Sequence, residues 1–198
     1  ALPDSGAGTR MMWIPSMAAF RVGANDATKW DRDSIGDYSS VGGGIENVAL
    51  GDFSVVPGGA YNRVTGFVSF AHGSLNQVSG DISAALGGQH NLVNGSASTA
   101  IAGQHLNVSA NWSGITGGFR DTISADLSFI GAGDRNLITA PFSAIVGGIT
   151  DTVSGQQSFI AAGQDHLASG DLAGIIGGYE NKAVGDYSVI GGGGRNRG

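Results

Sequence analysis

The chain has 198 residues, of which 36 are glycine, 41% are apolar and only 13% are charged, a composition far from ordinary globular usage. A formal net charge of −6, with lysine only at Lys29 and Lys182, argues against a basic footprint for nucleic acid or for anionic membranes, and the lack of cysteine removes disulfides and thiolate metal sites. No apolar run approaches the roughly 20 residues that span a bilayer. Collagen would place glycine at every third residue, and a disordered linker would lack this apolar content, so a repeat fold is the class to test.

Residues 1–35 carry no repeat and are expected to form an N-terminal cap or neck. The absence of an initiator Met suggests an excised or processed piece. After a polar lead, the segment from Met11 to Gly23 holds all three methionines, Trp13 and Phe20. A stack of strands must protect its terminal edge, so this apolar segment is expected to cover the first turn. The competing reading is a contact site for a preceding segment or partner. Trp30 and Asp31 lead into Gly36 as a lock between cap and repeat.

From Gly36 the sequence falls into a register of fifteen, giving eleven repeats over 36–198 that begin at Gly36, Gly51, Gly66, Gly80, Gly95, Ala110, Ala125, Ala140, Gly155, Gly170 and Gly185; the repeat 66–79 is one residue short. The fourth position is serine in every turn but one, where Ala173 stands. The sixth position is aliphatic throughout and the fourteenth in all but the last repeat, as in Val41, Ile115 and Ile190 or Val64, Ile123 and Val153. Alternation with a period of two predicts strands. Glycine at the ninth position, as in Gly88 and Gly118, predicts one tight corner, and the fifteenth and first positions, as in Ser79-Gly80, predict a second. Two short strands per turn make an all-β, flattened β-solenoid whose equivalent positions stack at about 4.8 Å, so that eleven turns stand roughly 50 Å tall.

On the second strand, the asparagines at the twelfth position (Asn47, Asn62, Asn76, Asn91, Asn136, Asn181, Asn196, with Asp121 and Asp151 as near substitutes) are expected to point inward and hydrogen-bond along their column. The eleventh position, including Tyr61, His90, His105, Arg120 and Arg135, is expected to be its wet face. The first strand reads as apolar on both faces. Its outer face carries Tyr38, Phe53, Trp112, Phe142 and Tyr187 at the third position and Phe70, Phe129 and Phe159 at the fifth. A strand apolar on both faces should be buried on both, and one chain has nothing left to cover the second. Self-association along this aromatic ladder is the expectation.

The phrase Gly185-Asp186-Tyr187-Ser188-Val189-Ile190-Gly191-Gly192-Gly193, nearly repeated from Gly36 to Gly44, resembles the head repeats of trimeric autotransporter adhesins. The leader Gly8-Thr9-Arg10-Met11-Met12-Trp13-Ile14-Pro15, with Ala18-Ala19-Phe20-Arg21, looks like the segment preceding such repeats in trimeric fibre proteins that end in an endosialidase-type intramolecular chaperone. These resemblances imply a left-handed parallel β-roll, a homotrimer, an extracellular or virion-fibre location, and an adhesive role toward a glycan or protein on a host or prey cell. The turns here are mostly a residue longer than the common adhesin head repeat.

Three functions follow as expectations. The first is a structural and adhesive module of a trimeric surface fibre, binding a cell-surface ligand through Tyr61, His90, His105, Phe119, Arg120 and Arg135, since aromatics stack on sugars and arginine pairs with carboxylates or phosphates. The second is a passive shaft or spacer of a phage or viral tail fibre. The third is a carbohydrate-active enzyme with clefts between chains, which the scarcity of clustered carboxylates argues against. His90 and His105 share a column one turn apart, but without a third ligand column they read as a surface ladder rather than zinc ligands. His166 reads as a hydrogen-bonded filler in the asparagine column. No Ser, His and acid stand out as a triad, and the irregular thirteenth position lacks the threonine ranks that ice binding wants. No catalytic residue, cofactor or metal is expected.

Overall fold

The computed structural model describes residues 7–26 and 29–198; residues 1–6 of the expected leader, and 27–28, lie outside the described residues. The repeat folds as an all-β, parallel β-solenoid of about ten turns, each of about fifteen residues. An antiparallel hairpin, β1 (Gly8–Ile14) and β2 (Ala19–Asn25), precedes it, and β2 pairs in parallel with β3 (Ser40–Val41). From β3 to β23 (Val189–Ile190) every strand is two residues long. The odd-numbered strands, at positions five and six, extend the hairpin into a 13-stranded sheet. The even-numbered ones, from β4 (Val48–Ala49) to β22 (Lys182–Ala183) at positions thirteen and fourteen, form a 10-stranded sheet.

Four inward columns build the core. Aliphatics at positions six and fourteen, such as Val41, Ile115, Ile123 and Val153, are completely buried, each worth roughly 1.5–3 kcal/mol relative to exposure. Serines at position four form a relay: Ser83 Oγ donates to Gly95 O at 2.8 Å and accepts from Ser98 N at 3.0 Å. The asparagines at position twelve also point inward, but they bind mostly to backbone rather than to one another. Asn91 Nδ2 donates to Gly87 O and Gly103 O at 3.0 and 3.2 Å, and its Oδ1 accepts from Leu106 N at 3.0 Å. Direct amide-to-amide bonds join Asn62 to Asn47 and Asn196 to Asn181.

The corners differ from the sequence expectation. Position nine is glycine with positive φ, as expected. The second corner, however, runs over positions one to three, and the third position, assigned above to the outer face of a strand, is a left-handed corner residue in every turn; Phe53 at φ 58° and Trp112 at 49° are examples. Position eleven is likewise a left-handed corner, from Glu46 at 58° to Arg195 at 59°, and not a strand face. The stack compensates for this unfavourable backbone. The Phe53 N–H donates to Asp37 O at 2.8 Å, and the Tyr61 N–H to Ile45 O at 2.9 Å, each one turn back. Between the corners, position ten makes single parallel bridges from Ala24 to Ile45 and on to Gly194, so a third, one-residue ladder runs beside the two sheets.

The short turn 66–79 lacks position eight. Register survives on both sides: Val55 pairs with Phe70 and Phe70 with Ala84, while Arg63 pairs with Gln77 and Gln77 with Leu92.

Where the hairpin meets the first turn, carbonyls without a preceding turn must find donors. Arg21, wholly buried, supplies them: Nη1 reaches Phe20 O and Ser39 O at 2.8 and 2.9 Å, and Nη2 reaches Ser39 Oγ and Ala49 O at 2.6 and 2.8 Å. Burial lowers its pKa to about 10, so it stays charged near neutrality. Trp30, also buried, donates Nε1–H to Asn47 O at 3.0 Å. Replacing Arg21 by leucine keeps the bulk but removes these charge-assisted bonds, leaving Ser39 O with only the Phe20 N–H and Ala49 O with only the Gly36 N–H; a loss of about 2 kcal/mol is expected, measured as a lower midpoint in denaturant.

Candidate functional site

Two surfaces differ from an ordinary solvated solenoid wall. The first is the line of corner residues at position eleven, flanked by position ten. Because each corner repeats the same left-handed backbone near φ 58°, successive side chains leave the wall at the rung spacing. The His90 and His105 rings stack, centroids 4.8 Å apart and 15° from parallel. His105 then meets the edge of Phe119 at 6.0 Å, and the Arg120 guanidinium lies 4.7 Å over the Phe119 ring. Arg135, one rung on, donates to Asp134 at 2.9 Å. His90, His105, Arg120 and Arg135 are exposed, and Phe119 is half-buried.

Five of the six residues singled out by sequence therefore come together, and Tyr61 does not. It stands two rungs away, beyond Leu75, with the Lys29 ammonium 5.7 Å from its ring. There it walls a cleft of about 220 Å³ with Thr9, Asn25, Asp26 and Glu46. Burial pushes the Glu46 carboxyl up, but hydrogen bonds from the Lys29 side chain and from Asp26, with the charge of Lys29, outweigh this and hold it below the usual carboxylate range. Sequence reasoning missed this cleft because the hairpin and the first two turns form it jointly.

It also missed the second position. A carboxylate there accepts the position-two N–H of the preceding turn: Asp52 from Asp37 at 2.9 Å, Asp81 from Phe67 at 2.8 Å, Asp171 from Gln156 at 2.9 Å and Asp186 from Asp171 at 3.0 Å. The column is a backbone partner. Asp165 stands outside this column and accepts from Gln164 Nε2 at 2.8 Å.

The second surface is apolar. Of the aromatic ladder, Tyr38, Phe53, Trp112, Phe129, Phe142, Phe159 and Tyr187 are between 39% and 75% exposed, whereas Phe70 is largely buried. Tyr38 and Phe53 stack at 4.7 Å. Position seven adds Leu86, Ile101, Val146 and Ile176, all exposed, which the sequence reading did not select because glycine and proline share that column. A strip of this length exceeds the scattered apolar exposure normal for a monomer surface.

Elsewhere, the asparagine column changes character. Leu106, Asp121, Asp151 and His166 replace asparagine and are buried. His166 Nδ1 accepts from Asn181 N at 3.1 Å, as a filler should, while its Nε2 and one oxygen each of Asp121 and Asp151 have no partner. Burial pushes Asp121 up to about 6 and moves Asp151 in the same direction. Comparison with protein-family models and with curated proteins finds no match to this chain.

Proposed function

We propose that the chain is the structural and adhesive module of a homotrimeric extracellular fibre, three left-handed rolls packed along their apolar strips, with the outer corner columns meeting a cell-surface ligand, most simply a glycan. The observation that carries this reading is the contrast between the two surfaces. One is a continuous apolar strip at positions three, five and seven, which water disfavours and a second and third copy of the same strip would cover. The other is a varied, polar and aromatic column held on a rigid frame. Both are products of one repeat, so adding turns lengthens the strip and the ligand column together.

Light scattering of the purified chain is expected to give three times the monomer mass, and Phe142→Asp, placing a charge in the strip, is expected to shift it toward monomer. A folded monomer at micromolar concentration defeats the assembly. A glycan array probed with the assembled protein tests adhesion, and binding to no surface glycan returns the chain to a passive spacer.

A further inference from the structure

Charge is not spread evenly along position eleven. The column opens with Glu46, closes with Asp165, Glu180 and Arg195, and between them places His90, His105, Arg120 and Arg135 on four consecutive rungs. The whole chain has only ten lysines and arginines against sixteen acids, so this run is a local reversal of sign. Three rung steps span about 14 Å.

The groups differ in how far they are already satisfied. Arg135 is partly neutralised by Asp134. Arg120 lies on the Phe119 ring and, among the described residues, pairs with no carboxylate. Its guanidinium edge is left to bind an anion bidentately while its face stays stacked. The two stacked imidazoles offer N–H donors along the lane. Gln89 and Gln104 stand beside them at position ten, adding amide donors and acceptors suited to hydroxyl groups.

We propose that this lane binds a linear acidic polysaccharide. Acidic groups on successive sugars meet His90, His105 and Arg120, and a sugar face lies against Phe119. The inference rests on the adhesive reading above and narrows its ligand from glycans in general to repeating anions. Charge complementarity selects the polyanion, and the straight, evenly spaced column selects a linear chain over a single charged sugar.

The test uses the assembled full chain, immobilised for interferometry at pH 6 and low salt, with polygalacturonate (a carboxylate polymer), heparin (a sulfated one) and neutral dextran as probes. Binding to at least one acidic polymer and not to dextran is expected, weakening as salt rises. Arg120→Gln should weaken it about tenfold, the loss of one charge-assisted contact, and the double variant His90→Gln with His105→Gln should weaken it as well. Arg197→Gln, the same charge change in the last turn, should leave it unaltered. Thermal melts confirm that each variant is folded. The proposal is overturned if the lane variants bind like the parent, or if Arg197→Gln costs as much. Equal binding to dextran or another neutral glycan overturns it too, yet leaves adhesion standing, whereas no binding to any glycan removes both.

Discussion

Gly59→Ala will lower stability by about 3 kcal/mol or more, and Gly58→Ala, one residue earlier, will leave it unchanged or slightly raised. At Gly59 the backbone sits at φ +94°, and a Cβ would lie 2.0 Å from Gly73 O and 2.9 Å from Asn62 Nδ2. The first clash is with backbone of the next turn, which cannot move without breaking its own ladder. The second displaces an amide that donates to that carbonyl at 2.8 Å. Left-handed strain of 1–3 kcal/mol adds to the steric cost. At Gly58 a Cβ meets nothing within 4 Å and φ is not in the left-handed region, so alanine mainly removes freedom from the unfolded chain. Alanine already stands at the equivalent Ala102, Ala132 and Ala162. Thermal melts of the pair should differ by roughly 6–12 °C; equal midpoints would show that the corner is not rigid.

The second large effect concerns Asp121. Its Oδ1 accepts from Asn136 N at 2.8 Å, as an asparagine would, but its Oδ2 occupies the place of the amide nitrogen and has no partner. It lies 2.2 Å from where a Gly118 Cβ would be, with Gly133 O close by, so an ionised carboxylate turns lone pairs toward a carbonyl, and a protonated one can donate. Burial is the largest cause raising its pKa to about 6, the bonds from Asn136 pull it down and the charge of Asp134 adds to the rise. The folded pKa lies above the unfolded value of 3.8, so the folded state holds the proton more tightly. The carboxyl's contribution is fully present below pH 3.8 and is lost as pH rises through about 6. A shift of about two units corresponds to about 3 kcal/mol. Asp121→Asn is therefore expected to stabilise the protein by up to that amount at pH 8, little at pH 4, and the difference between variant and parent melts is the readout. Asp151→Asn should act in the same direction. A variant whose advantage does not grow between pH 4 and 8 would refute the account.

Period, inward columns and the glycine corner were legible in the sequence because each is a local pattern repeated many times, and repetition makes a column of serine or isoleucine unmistakable. The corners at positions three and eleven were not. Val68, Ile82 and Trp112 are residue types that propensity places in strands, yet they sit at φ 51°, 56° and 49°. What holds them there is a hydrogen bond that their own N–H donates to a carbonyl of the turn before, a contact that no single repeat contains. The same misreading put His90 and Arg120 on a strand face, although the rung spacing still predicted that the two imidazoles would lie near 5 Å apart. The aspartates at position two escaped because their partner is a backbone N–H, which leaves no trace in composition. Tyr61 was grouped with the histidines by column alone, while the hairpin claims it for a cleft with Glu46.

The turn that omits position eight carries a consequence for how such a wall can vary. Loss of a residue there leaves both neighbouring ladders in register, and at that position Gly43 and Gly58 face open space. Chain length is thus decoupled from stacking at one corner of every turn. Longer segments inserted between positions seven and nine would project as loops without disturbing the rungs, so the solenoid offers about ten equivalent grafting points, one per turn, along a single edge.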